Sequence, residues 1–179
     1  RLVIGPSPRG VTFRYRDPLD EIWLCAARRI GYQVARTRDA FATSDGQTLW
    51  VGEADTLDAD DCLAQILFHE ICHALIAGPA GQDQRDWGLS SEPLHDLAPE
   101  HACLRLQAHL AGEHGLGAFL APTTDHRAFY DALGQNPLLN SEDEVSALVR
   151  AGLVRARAAP MAPHLGDALV ATCAVLNSA

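Results

Sequence analysis

The chain has 179 residues, 47% hydrophobic and 21% charged, with a formal net charge of −9 and a pI near 5.2. That length suits a single domain, 1–179, able to bury a core without disulfide or metal staples. The acidic balance, with 14 arginines in small scattered groups and no lysine, argues against a nucleic-acid partner, whose phosphates call for clustered cations.

No stretch reads as long and apolar enough to cross a bilayer, so no membrane partner is expected. Arg1 to Pro6 has none of the marks of a secretory signal. The cysteines, Cys25, Cys62, Cys72, Cys103 and Cys173, are odd in number and never form a CxxC pair. Reduced thiols and a cytoplasmic location follow as the expectation.

In chain order, Val11 to Arg16 alternates apolar and polar residues, which predicts a half-buried strand. Asp17-Pro18 caps a helix running from about Leu19 to Ile30 and stopping at Gly31. Phe41 to Thr43 and Thr48 to Val51 read as strands of a hairpin joined through Ser44-Asp45-Gly46. A helix is then expected from near Asp58 or Asp60 to Ala77, ahead of Gly78-Pro79. It is apolar nearly all round, which predicts burial. Gly78 to Ala98 reads as a polar loop long enough to be functional. Pro99-Glu100 opens a helix to about Ala111, and further helices are expected at 125–133, 141–151 and 163–176. Strands first and helices after predict an α+β fold, with an N-terminal α/β part over about 1–78 and a helical part over about 99–179.

The chemistry is concentrated in His69-Glu70-Ile71-Cys72-His73, an HExxH motif in the middle of that apolar helix. Residues four apart lie one turn above each other, so the two imidazoles point the same way and can share one metal ion. Glu70 reaches the metal's ligand position without binding the metal, as a general acid or base does.

One more protein ligand is required, and the downstream candidates are Glu92, His95, Asp96, Glu100 and His101. Glu100 is preferred. It shares a helix face with Cys103, Leu104, Ala108 and Ala111, and an inward carboxylate without a cation would be costly. Glu92 is the alternative, although it precedes Pro93; His95 suits an acid or hydrogen-bond donor at the mouth of the site, and His101 points a quarter-turn from Glu100. Asp86 and Asp125 could each hold the second nitrogen of a ligand histidine, or be an ordinary loop carboxylate or helix cap.

His109, His114, His126 and His164 read as surface or capping residues. Trp23, Trp50 and Trp87 read as core, with Trp87 close enough to line a pocket, while Arg127 and Tyr130 share a face that could meet substrate. The metzincin extension fails, because Ile76 and Pro79 stand where Gly and His are required.

The longer segment Phe68-His69-Glu70-Ile71-Cys72-His73-Ala74-Leu75-Ile76-Ala77-Gly78, followed by Asp86-Trp87-Gly88, resembles the bacterial elongation factor P hydroxylases, which carry HEI-x-H-x-x-IAG and then D-F-G at the same spacing. A carboxylate opening the next helix, here Glu100, and a Phe followed by Asp, here Phe119 and Asp125, extend the likeness. The resemblance implies a zincin-like scaffold whose two histidines and one glutamate hold a non-haem metal, iron in particular, that hydroxylates a modified lysine on elongation factor P. Between Gly88 and Glu100 the chain departs from the family, being shorter and reading Leu89-Ser90-Ser91-Glu92-Pro93 in place of an aromatic-rich stretch.

Three readings compete. In the first, iron(II) at His69, His73 and Glu100 serves a hydroxylase. In the second, zinc at the same ligands serves a peptidase similar to the HExxH…E gluzincins, with Glu70 as base, a peptide along an edge strand such as Thr48 to Gly52, and an oxyanion donor among His95, His101 and Tyr130. The third, a structural metal site in an interaction domain, leaves Glu70 without a purpose, since such sites are usually closed by four protein ligands.

Overall fold

In the computed structural model, residues 15–89, 97–122, 126–138 and 144–178 are described. Among them are six α-helices and a small three-stranded mixed sheet, an α+β arrangement. The helices are α1 (Pro18–Ile30), α2 (Leu63–Gly81), α3 (Leu97–Gly112), α4 (Arg127–Ala132), α5 (Glu144–Ala156) and α6 (His164–Leu176); the strands are β1 (Gln33–Thr37), β2 (Ala42–Ser44) and β3 (Thr48–Gly52).

α1 begins as expected. The Asp17 carboxylate accepts from the Leu19 N–H at 2.8 Å, Pro18 occupies the first position, and Gly31 ends the helix at φ 121°. The expected hairpin forms from β2 and β3, antiparallel with Thr43 opposite Trp50. β1, which the sequence pattern did not disclose, pairs parallel with β3. It is an edge strand partly exposed along its length, so no clean alternation marks it. The strand expected over Val11 to Arg16 falls mostly outside the described residues, and Tyr15 and Arg16 are not in a strand.

The order β1-β3-β2 overturns one expectation: Thr48 to Gly52 is the central strand and has no open edge to offer a peptide. The edge on that side is β2. The Gly52 N–H bonds the Phe41 carbonyl and the Asp45 N–H bonds the Thr48 carbonyl, so the alternate residues Ala42 and Ser44 turn their backbone polar groups outward. The Ser44 N–H is already taken by Asp86 Oδ1 at 3.0 Å.

α2 is the core helix, packed against α1, α3 and α5. Leu67, Phe68, Ile71 and Cys72 are fully buried, and Phe68 lies against Trp23 with ring centroids 5.2 Å apart. Trp23 in turn donates through Nε1 to Thr172 Oγ1 at 3.0 Å, tying α1 to α6. By length and composition α2 is apolar enough to cross a membrane, contrary to the sequence expectation, but it lies 72% buried inside the protein.

The helix starts at Leu63 rather than near Asp58 or Asp60, because Asp58 and Asp61 close a turn ahead of it. Asp61 Oδ2 accepts from the Asp58 N–H at 2.9 Å, and Gln65 Oε1 reaches back to the Cys62 N–H at 2.8 Å.

Regular helix breaks at Gly78, at φ 60° and ψ −164°, and resumes through Pro79 to Gly81. Arg155 of α5 caps the break, donating through Nη1 to the Leu75 and Ile76 carbonyls at 2.6 and 3.1 Å. A Cβ at residue 78 would run into the Arg155 guanidinium. Gly78→Ala is therefore expected to cost about 3 kcal/mol from an essentially glycine-only conformation and the displaced cap; urea unfolding checks it.

Candidate metal centre

α2 sets His69 and His73 one turn apart with their Nε2 atoms 3.0 Å from each other and the rings edge to face. Two nitrogens held at 2.0 to 2.1 Å from one ion lie about 2.8 to 3.4 Å apart for octahedral to tetrahedral angles, so the spacing fits a shared cation. α3 places Glu100 against them. Its Oε2 is 3.3 Å from His73 Nε2, and its Oε1 is 3.7 Å from His69 Nε2. Oε1 is buried and has no hydrogen-bond partner among the described residues. A buried carboxylate oxygen without a donor is costly, and a cation between the three side chains removes that cost.

Burial disfavours charge on both rings, with opposite outcomes. At His69 burial, helped by the neighbouring His73, lowers the pKa; at His73 the Glu100 hydrogen bond and the nearby carboxylates outweigh burial and raise it. Burial alone would raise Glu100, but the His73 hydrogen bond and the charges of His73, His69 and His126 bring it from 4.5 down to about 2. The metal-free carboxylate thus gives its stabilisation in full above 4.5 and loses it as pH falls through about 2.

Gln107 on α3, fully buried, orients His69. Its Nε2 donates to the Leu120 carbonyl at 2.6 Å, which turns Oε1 toward His69 Nδ1 at 2.8 Å. A neutral imidazole facing an acceptor carries its proton on that nitrogen. His69 is accordingly the Nδ1–H tautomer, with the Nε2 lone pair aimed at His73 and Glu100.

Cys103 also lies near both rings, close enough to make a His69-His73-Cys103 triple. However, its sulfur approaches His69 at Nδ1, 3.8 Å away, and at the backbone carbonyl, 3.7 Å away. That nitrogen already holds the proton given to Gln107, and burial pushes the Cys103 thiol well up. A cation facing His69, His73 and Glu100 would instead meet the Nε2 side of both rings and the unpaired Glu100 oxygen.

Glu70 is buried and accepts from Trp87 Nε1 at 2.9 Å. Beside it a cleft of about 190 Å³ is lined by Phe41, Ala42, Gln65, Ile66, His69 and Glu70. Gln65 closes one wall by donating to the Phe119 carbonyl at 2.9 Å.

Other predicted residues take different places. Asp86 holds no ligand histidine; Oδ1 accepts from Thr43 Oγ1 at 2.5 Å and from the Ser44 N–H at 3.0 Å, fastening the segment after α2 to β2. His101 stacks flat on Phe129, centroids 3.9 Å apart. Tyr130 donates to the Gly117 carbonyl at 2.9 Å and Arg127 pairs with Asp131 at 2.8 Å, so both have structural partners. Glu92, His95, Asp96 and Asp125 lie outside the described residues.

Three contributors escaped the sequence reading: Gln107, the Trp87 contact to Glu70, and His126. His126, read as a surface or capping residue, stands with Nε2 3.9 Å from Glu100 Oε1. The i, i+7 spacing of Glu100 and Gln107 on one helix face was a usable signal. Nothing local marked His126, since a separate segment carries it back to the start of α3.

Fold and site together define an α+β protein in which a buried HExxH helix is faced by a glutamate from the next described helix. No family profile, curated protein or solved structure matches the chain.

Proposed function

We propose that this protein is a metalloenzyme on a zincin-like scaffold, with one divalent ion, iron(II) or zinc, held by His69, His73 and Glu100 and with Glu70 as its acid or base. The observation that carries the reading is the convergence of two Nε2 atoms 3.0 Å apart on a glutamate whose buried Oε1 lacks a donor among the described residues. A bound ion would act as a Lewis acid on an oxygen ligand at its open position. Glu70, lining the cleft beside His69, accepts or returns the proton there. Gln107 keeps the His69 Nε2 lone pair on the ligand side. The apolar cleft wall of Phe41, Ala42 and Ile66 limits water.

Among such enzymes the motif segment from Phe68 to Gly78 with Asp86-Trp87-Gly88 favours a hydroxylase of the elongation factor P hydroxylase type, acting on elongation factor P in the cytoplasm. Five free thiols agree with a reducing compartment. The test is to measure bound iron and zinc in the purified protein. The iron-loaded protein is then incubated with elongation factor P already carrying its modified lysine, with oxygen and a reductant; a one-oxygen mass gain is expected, and none refutes the substrate. Cys103→Ser is expected to leave the metal content per chain unchanged, as read by elemental analysis.

A zinc peptidase is the second reading, favoured by one observation. Ala42 lines the cleft and turns its backbone polar groups outward from the β2 edge, where an extended peptide could pair. Peptide cleavage abolished by Glu70→Gln with zinc retained would select it.

A further inference from the structure

We infer that Trp87 is a positioning residue for Glu70, delivered by a strained turn that β2 holds in place; this rests on the reading of Glu70 as the acid or base of a metal site. Asp86 (φ 47°, ψ 36°) and Trp87 (φ 61°, ψ 19°) both adopt left-handed backbone, and among the described residues they are the non-glycine positions with positive φ. Such a conformation at a bulky residue is costly and persists only where the surroundings impose it. Here the surroundings are plain. The Asp86 carboxylate is bound by Thr43 Oγ1 and the Ser44 N–H, and the Leu89 N–H returns to the Asp86 carbonyl at 2.9 Å.

What the strain achieves is the placement of one indole. Trp87 is 5% exposed, stands edge-on to Tyr32 at 5.8 Å, and sends its Nε1–H to Glu70 Oε2 at 2.9 Å. Packing alone would be served by any aromatic ring. The N–H does something else: it ties one oxygen of a buried carboxylate that sits next in sequence to His69. A carboxylate so tied does not swing round to become a further metal ligand, so the ion keeps an open position and Oε1 is left for the reacting proton.

The test is cobalt substitution, because the visible absorption of cobalt(II) weakens as its coordination number rises, whatever the reaction. Trp87→Phe keeps the ring and removes the donor. It is expected to bind the same amount of cobalt as the wild type but with weaker absorption, as Glu70 joins the metal, and Trp87→Phe/Glu70→Ala is expected to regain the wild-type intensity. An unchanged spectrum in Trp87→Phe overturns the positioning role while leaving the metal site intact. Failure of the wild type to bind cobalt overturns the metal reading and the role with it. Should Trp87→Phe not fold, the indole N–H resonances of the ¹⁵N-tryptophan-labelled protein decide. The Trp87 proton is expected to move upfield in Glu70→Ala while that of Trp23, bonded to Thr172, stays; a Trp87 signal that does not move overturns the proposal.

Discussion

Glu100→Ala is expected to strip the metal from the purified protein, weakening retention by on the order of 100-fold or more, beyond the usual loss for an outer-shell change. The two histidines alone leave a bidentate site on one helix, and the third donor comes from a different helix, so nothing nearby replaces it. Cys103 is the neighbouring alternative, and it faces the protonated Nδ1 side of His69. His73→Ala should lose metal to a similar degree. Glu70→Gln should keep it while lowering turnover by about 10² to 10⁴. Elemental analysis after dialysis against a weak chelator reads all three. Metal retained equally by Glu100→Ala would remove this glutamate from the ligand set and return attention to Glu92.

Gln107→Leu is expected to lower metal affinity by about 10- to 100-fold although residue 107 touches no ion. Two losses combine. His69 no longer has an acceptor at Nδ1, so the tautomer with its proton on Nε2 becomes populated and must be displaced before a metal binds. The Leu120 carbonyl also loses its donor, at a cost of about 1 to 3 kcal/mol in stability. Gln107→Glu separates them, since a carboxylate still accepts from Nδ1–H but cannot donate to the carbonyl. Affinity close to wild type with lowered stability is the expected result for that variant. Imidazole ¹⁵N shifts of the metal-free wild type should show the Nδ1–H form of His69. The opposite tautomer would end the argument, whether or not a metal binds.

Helix starts and stops set by a few neighbouring residues were legible in the sequence. Asp17-Pro18 and Gly31 bounded α1, and Gly78 ended the regular part of α2. The start of α2, expected near Asp58 or Asp60, was misplaced because Asp61 folds back on the Asp58 N–H in a separate turn and Gln65 closes the helix start at Cys62. β1 was missed for a different reason: an edge strand exposed on both faces has no periodicity to read, and its pairing with β3 is a long-range choice. The central position of β3 followed from that choice, which is why the edge offered beside the cleft is β2.

At the site, the pairing of His69 with His73 was determined by the sequence alone, because a four-residue spacing on a helix fixes two side chains on one face. The inward aim of Glu100 was likewise predictable from the face it shares with Cys103 and Leu104. Only the tertiary structure decided which neighbours serve those residues: Gln107 at His69, Trp87 at Glu70, His126 beside Glu100. Each of these contacts joins separate segments of the chain. Helix periodicity carries no information about how two helices are rotated against each other, and that rotation is fixed by packing over the whole core.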